Sequence, residues 1–186
     1  MGQTYAEIDE RLHAFITAQR VFFVATAPAE AGGHVNLSPK GLDSLRILDP
    51  RSVAYVDYVG SGIETIAHLR DNGRIVVMFC AFEGPPKIVR LHGRGEALEP
   101  GHREFDRLRA HFAPGGAVRS VIHIALDRIS DSCGYGVPEY RYVGERPQLG
   151  TWADRKGDAG VRAYQEANNA ASIDGLPGLR WVTEGS

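Results

Sequence analysis

The stretch SVAYVDYVGSGIETIAHLRDNGRIVVMFC, from Ser52 to Cys80, has the pattern of a strand, a glycine-rich turn, a short helix and a second strand. Glycine at positions 60 and 62 removes the Cβ atoms that would keep a ligand away from the backbone. The free N–H groups where a helix begins attract anions, and the hydroxyls of Ser61 and Thr65 would add donors on the same side. The stretch therefore predicts a phosphate site at the start of the helix. An ordinary loop followed by a capped helix is the alternative interpretation.

The composition is typical of a globular protein with one domain. The chain has 186 residues, of which 43% are hydrophobic and 24% are charged, and its formal net charge is −2. This charge gives no electrostatic reason to expect binding to nucleic acid or to an anionic membrane. No apolar run approaches the roughly 20 residues of a transmembrane helix, and the acidic N-terminus is unlike a signal peptide. We therefore expect a cytoplasmic protein in which Cys80 and Cys133 are reduced.

Short β-rich runs separated by turn residues dominate most of the chain. Their number, six or seven, and the three or four helices beside them predict an α+β fold with a small β-barrel. A doubly wound sheet stays open as an alternative, because the strands before and after the helix of the opening stretch could pair in parallel. We expect the barrel domain to span residues 1–146 and a polar C-terminal extension to span residues 147–186, packed on the barrel or on a partner subunit. The predicted strands cover residues 21–27, 34–38, 52–58, 75–82, 87–98, 120–129 and 139–143.

A proline interrupts the second predicted strand. Pro39 cannot donate to a β ladder, so we expect the strand to end or bulge there and to aim Ser38 and Lys40 out of the regular pattern. A lysine at this place could bind a phosphate or a ring oxygen, or it could simply be solvated.

The predicted strand 87–98 carries a regular polar row. Apolar residues alternate along it with polar ones that include Arg90 and His92. The polar row could line a cofactor groove, or it could form the solvated face of an edge strand.

The sequence contains no recognisable catalytic centre built from protein groups alone. The seven histidines are scattered, without His-x-His or His-Glu-x-x-His spacing, so we do not expect a metal site. Neither a Gly-x-Ser-x-Gly elbow nor a P-loop is present. Cys133 lies between small residues without adjacent charges, which is typical of a packed or ligand-adjacent thiol. If the protein catalyses a reaction, we expect its reactive group to come from a cofactor.

The order of four short motifs resembles the pyridoxamine 5′-phosphate oxidase-related family of FMN-binding split barrels. The motifs are HVNLSPKG at 34–41, VAYVDY at 53–58 with the Gly-Ser-Gly turn, NGR at 72–74 and RLHGRG at 90–95. A further segment, SCGYGVP at 132–138, resembles an uncharacterised bacterial branch of that family. The likeness extends over most of the predicted barrel.

The resemblance implies an α+β fold with a six- to seven-stranded split β-barrel and peripheral helices, and a homodimer with two FMN sites at the subunit interface. Backbone near Ser38 would lie along the isoalloxazine ring, and the partner subunit would close over the ring. The residues implied at the cofactor are Asn36, Ser38, Pro39, Lys40, Tyr55, Val56, Asp57, Gly60, Ser61, Gly62, Thr65, Arg90 and His92 of one subunit, with Ser132, Cys133, Gly134 and Tyr135 of the other.

The sequence departs from the family pattern at two places in the implied site. Asn36 stands where pyridoxamine phosphate oxidases have an arginine, and Gly62-Ile63-Glu64 replaces their Ser-Arg-Lys phosphate clamp. A carboxylate at Glu64 would repel a phosphate unless it points away. The phosphate contacts would then come from backbone N–H groups, Ser61, Thr65, and Lys40 or Arg90. The vitamin substrate is not implied.

The resemblance leads us to expect an FMN-dependent oxidoreductase that moves a hydride to or from an unidentified small molecule, bound near His92 and Tyr135. A deazaflavin (F420) in place of FMN is one alternative. A flavin- or haem-binding protein without turnover, and an interaction module without a cofactor, are alternatives of other classes. The ligand that the protein carries would distinguish these classes.

Overall fold

The fold is an antiparallel sheet with helices at its periphery, described for residues 2–184 by a computed structural model. Its strands are β1 (Thr4–Tyr5), β2 (Phe22–Thr26), β3 (Asn36–Lys40), β4 (Leu45–Asp49), β5 (Ser52–Tyr58), β6 (Arg74–Cys80), β7 (Ile88–Leu98) and β8 (Val118–Ser132). Its helices are α1 (Glu10–Ala18), α2 (Glu64–Asn72), α3 (Phe105–Arg109), α4 (Gln148–Asn168) and α5 (Arg180–Thr183).

The strands join in the order β3-β2-β6-β7-β8-β5-β4, and β1 pairs with β8 outside this path. Every pairing is antiparallel, and β5 is separated from β6 by two strands. The doubly wound alternative is therefore wrong. The predicted mixture of a strand-rich sheet with peripheral helices is confirmed, but the structure has eight strands rather than six or seven. Since β3 and β4 remain as unpaired edges, the sheet is open and does not establish a closed barrel.

Several predicted boundaries differ from the structure. The helical spacing of Ile8, Leu12, Phe15 and Ile16 predicts a first helix over about residues 5–18. It begins only at Glu10, because the Asp9 carboxylate accepts the Leu12 N–H at 2.8 Å and caps it. The short strands β1 and β4 had no counterpart in the prediction. The predicted strand 139–143 is irregular and exposed; a single backbone hydrogen bond at 2.9 Å ties its Tyr140 N–H to the Phe82 carbonyl.

The hydrophobic core lies between the sheet and helices α1 and α2. Ile63 and Ile66 are both buried in it, so the first turn of α2 is anchored directly after the Gly-Ser-Gly segment. The helix ends at Gly73, whose φ of 71° lies in the left-handed region that favours glycine. A smaller core cluster under α3 includes Leu108 and Val121. Because Ile63 and Ile66 anchor the start of α2 in the core, the glycine-rich turn before it is held in place at the protein surface.

The C-terminal part of the described chain is formed by α4 and α5. A non-helical residue, Gly157, kinks α4, and the segment after α4 contacts the glycine-rich turn through Asn169. Among residues 2–184, none of the helices has both the length and the apolar character needed to cross a membrane.

Candidate functional site

A cleft of about 350 Å³ opens between β3, the turn after β5 and the first residues of α2. The strand β3 reaches the cleft because it pairs with β2, and β2 also packs near α2. Eight of the residues predicted at the cofactor line this cleft: Asn36, Ser38, Pro39, Lys40, Gly60, Ser61, Gly62 and Thr65. The structure thus brings together two segments that are 20 residues apart in the sequence at their nearest ends, Lys40 and Gly60.

Pro39 does not disrupt β3. The pairing with β2 is regular from Asn36 to Lys40, so the predicted strand end or bulge at Ser38–Lys40 is wrong. Since β3 is an edge strand, the backbone nitrogen of Pro39, which has no hydrogen to donate, can face away from β2 without breaking the ladder. The hydroxyl of Ser38 is buried and makes no hydrogen bond within residues 2–184.

A buried carboxylate with two cations lies beneath the cleft. Asp57 is fully buried, and its carboxylate lies 2.6 Å from Nε of the buried Arg119 and 3.4 Å from the partly exposed Nζ of Lys40. Burial alone would raise the pKa of Asp57, but the charges of Arg119 and Lys40 outweigh it and lower that pKa below its usual value. Asp57 is therefore ionised at neutral pH and holds the Lys40 ammonium at the cleft.

Arg119 and Asn169 hold the carbonyl groups of the glycine-rich turn. The guanidinium of Arg119 donates to the Gly60 carbonyl at 3.2 Å and to the side-chain oxygen of Asn169 at 3.2 Å. The side-chain amide of Asn169 donates to the same Gly60 carbonyl at 3.0 Å and to the Ser61 carbonyl at 3.4 Å. Sequence reasoning missed both residues. Arg119 could have been noticed as a charged residue at the start of the apolar run of β8. Asn169, more than 100 residues from the turn, had no such signal in the sequence.

A chain of side-chain hydrogen bonds runs from β3 into the core. The Asn36 amide donates to the hydroxyls of Thr26 at 3.1 Å and Thr65 at 3.0 Å. The Thr26 hydroxyl lies 3.0 Å from Nδ1 of the buried His68 and forms a hydrogen bond with it. Burial lowers the pKa of His68, so the ring is neutral at pH 7, and its Nε2 has no hydrogen-bond partner within residues 2–184. The Thr65 hydroxyl is thus engaged inside the protein, while Ser61 is exposed.

Glu64 also lines the cleft, at the start of α2. One of its carboxylate oxygens accepts the Ile173 N–H at 3.4 Å, and the other lies close to Gly62. The backbone of the C-terminal segment therefore draws this carboxylate towards itself. Within one chain the cleft is lined by the cations Lys40 and Arg119 and by the carboxylate of Glu64, and Asp57 lies buried beneath the two cations.

The other predicted site residues lie away from the cleft of the same chain. Tyr55 and Val56 precede Asp57 on β5, with side chains buried in the two core clusters. His92 lines a separate shallow hollow with Arg74 and Val35.

The last predicted group, Arg90 and residues 132–135, does not line the cleft either. Arg90 donates to the Ser132 hydroxyl at 3.0 Å, and Gly134 packs against the backbone of Lys87. Cys133 and Tyr135 are exposed. A role for this group at a cofactor therefore requires a second copy of the chain, and it stays a prediction. Among residues 2–184, no cluster of histidine, cysteine or acidic side chains could hold a metal ion.

Comparisons with known proteins match this architecture. The family model described as pyridoxamine 5′-phosphate oxidase matches residues 8–133. The pyridoxamine 5′-phosphate oxidase family protein ustO of Aspergillus flavus is 39% identical over 193 aligned positions, which cover 94% of this chain and 77% of the relative.

Two crystal structures share the fold. The HupZ protein of Group A Streptococcus is 25% identical with a TM-score of 0.51, covering 67% of this chain and 99% of that one. A candidate pyridoxamine 5′-phosphate oxidase of Lactobacillus delbrueckii is 15% identical with a TM-score of 0.52, covering 68% and 98%. Since the family model spans more than half of the chain and ustO aligns with nearly all of it, the chain belongs to the pyridoxamine 5′-phosphate oxidase family.

Proposed function

We propose that the protein is an FMN-dependent oxidoreductase acting on a small organic molecule, with the FMN phosphate held at the Gly60–Gly62 turn. The observation that carries the proposal is the convergence of this turn, the edge strand β3 and the ammonium of Lys40 on one cleft. Membership of the pyridoxamine 5′-phosphate oxidase family supports the choice of a flavin.

The residues at the cleft fit a flavin phosphate. The hydroxyl of Ser61 is exposed, and backbone N–H groups at the start of α2 are suited to an anion. Lys40 adds a positive charge, whereas the Glu64 carboxylate, which reaches both the Ile173 N–H and Gly62, would have to turn away from Gly62 to admit the phosphate. A volume of about 350 Å³ lies within the range of small-molecule sites, roughly 300–1,000 Å³.

FMN, when bound, supplies hydride-transfer chemistry at its ring, so the protein's share is binding and electrostatics. The turn fixes the phosphate, and the backbone of β3 orients the ring along the sheet edge. The ammonium of Lys40, held by Asp57, offers positive charge near the ring or the phosphate. The neutral His68 and its hydrogen-bonded partners stiffen the floor beneath β3.

A homodimer completes the proposed site. In a second copy, residues 132–135 would close over the ring, and the exposed Tyr135 would contact the substrate. Large apolar side chains exposed beside the cleft on β3 and its preceding loop, Val35 and Leu37, support a subunit contact there.

Identification of the ligand released from the purified protein on denaturation tests the proposal. We expect FMN, at about one molecule per chain, from a protein that light scattering shows to be a dimer. Release of F420 or haem, or a protein that neither contains nor takes up any flavin, would refute it. A flavin that no electron acceptor reoxidises after reduction would instead indicate a binding protein without turnover.

A further inference from the structure

The segment that follows α4 lies against the back of the glycine-rich turn. Two successive carbonyls of the turn, those of Gly60 and Ser61, accept from the side-chain amide of Asn169, at 3.0 and 3.4 Å. Asn169 is fully buried and lies more than 100 residues away in the sequence. A side chain from outside the sheet thus sets the orientation of both peptide groups.

Asn169 is itself firmly placed. Its backbone N–H donates to the Gln165 carbonyl at 2.7 Å, and its own carbonyl accepts the Leu179 N–H at 3.0 Å. Gly178 packs so closely that a Cβ there would overlap the Asn169 carbonyl. The side-chain oxygen of Asn169 accepts from Arg119, which also donates to the Gly60 carbonyl. The side-chain amide therefore has little freedom to turn away from the two carbonyls.

The geometry of the peptide bond gives this contact a consequence for ligand binding. In a planar trans peptide the N–H points opposite to the C=O. The Gly60 carbonyl shares a peptide group with the Ser61 N–H, and the Ser61 carbonyl shares one with the Gly62 N–H. Drawing both carbonyls towards Asn169 therefore turns both N–H groups to the opposite side. Within residues 2–184, neither N–H finds an acceptor.

We infer that Asn169 is a positioning residue that presents the Ser61 and Gly62 N–H groups to the cofactor phosphate, which makes the C-terminal segment part of the phosphate site. This inference rests on the proposed function, since it needs a phosphate at the turn. It assigns a role to a part of the chain that lies beyond the family match, which ends at residue 133.

Two substitutions at position 169 and one control test this inference. Asn169→Ala removes the whole side-chain amide. Asn169→Asp keeps an oxygen for Arg119 but removes the donors to the turn. Asn168→Ala is the matched control, because the exposed Asn168 side chain bonds only locally, to the Tyr164 carbonyl.

The first measurement is the NMR backbone order parameter of residues 60–62 in the flavin-free protein. Both Asn169 variants should lower it from the value of about 0.85 of a rigid backbone towards roughly 0.6, because the turn loses two hydrogen bonds to its carbonyls, while the order parameters of β7 and β8 stay unchanged. The second measurement compares the affinity for FMN with that for riboflavin, which lacks the phosphate. Both variants should bind FMN roughly tenfold more weakly and bind riboflavin as the wild type does.

The possible outcomes distinguish a failure of the Asn169 inference from a failure of the proposed function. Equal losses for FMN and riboflavin would reduce Asn169 to a general structural role and overturn the inference. An Asn169→Asp variant that behaves as the wild type does would overturn it too, because the donors would then not matter. A wild-type protein that binds neither flavin would refute the proposed function together with the phosphate role. The order parameters would then still report whether Asn169 orders the turn.

Discussion

Replacement of Asp57 by asparagine tests the buried charge cluster beneath the cleft. The carboxylate of Asp57 has no exposure to solvent and lies 2.6 Å from Arg119, whose side chain is only 5% exposed, and 3.4 Å from Lys40. Asp57→Asn preserves the side-chain volume and removes the charge. The guanidinium of Arg119 is then left buried without a counter-charge.

The magnitude follows from the burial of both partners. Removing one partner of a buried ion pair costs about 3–5 kcal/mol, because the remaining charge stays desolvated. For a chain of this length each kcal/mol lowers Tm by about 2–4 °C, so we expect a decrease of roughly 6–20 °C. The Lys40 ammonium would lose its anchor at the same time, which should weaken FMN binding.

Urea unfolding of the flavin-free protein measures this cost directly. Asp127→Asn is the matched control: it makes the same substitution at an exposed position of β8, and we expect a change within about 0.5 kcal/mol. The double variant Asp57→Asn with Arg119→Met should be more stable than the sum of the two single losses predicts, since it removes both buried charges. A cost below about 1 kcal/mol for Asp57→Asn, or strict additivity in the double variant, would refute the buried ion pair as described.

The remaining predictions concern single sites. Burial raises the pKa of Glu99, so the contribution of this residue to stability should fall as the pH rises above 4.5, where the unfolded chain ionises first. Glu99→Gln should therefore raise Tm relative to the wild type at pH 7 but not at pH 4, and an equal gain at both values would contradict this. Gly178→Ala should destabilise the protein by about 1–3 kcal/mol through overlap with Asn169, whereas the open position of the control Gly136→Ala should tolerate the methyl group. Ser61→Ala should weaken FMN without lowering Tm, whereas Thr65→Ala should lower Tm because its buried hydroxyl accepts from Asn36; the reverse pattern would refute the assignment of these hydroxyls.

The local part of the fold could be predicted from the sequence. The strand at Ser52–Tyr58, the helix after the Gly-Ser-Gly turn and its end at Gly73 depend on apolar patterning and turn chemistry within about 20 residues. The strand β7 was likewise predicted to within one residue at its start. The strand β4 was missed because it follows β3 closely and carries no clear alternation of buried and exposed residues.

The parts of the site that depend on distant contacts could not be predicted. Nothing near Asn169 in the sequence indicates that its amide meets Gly60, since that contact exists only after the C-terminal segment has packed. The sequence of residues 139–143 also did not show that they form a loop rather than a strand. Arg119 lay one residue outside the predicted strand, so its burial against Asp57 went unnoticed.

The difference in affinity between FMN and riboflavin for the wild-type chain tests the central claim most directly. The two ligands differ only in the phosphate, so their dissociation constants, measured by fluorescence titration, isolate what the Gly60–Gly62 turn and Lys40 contribute. Charge-assisted hydrogen bonds of about 1.5–3 kcal/mol predict that FMN binds at least tenfold more tightly. Equal affinities for FMN and riboflavin would contradict the claim that this cleft holds a phosphate.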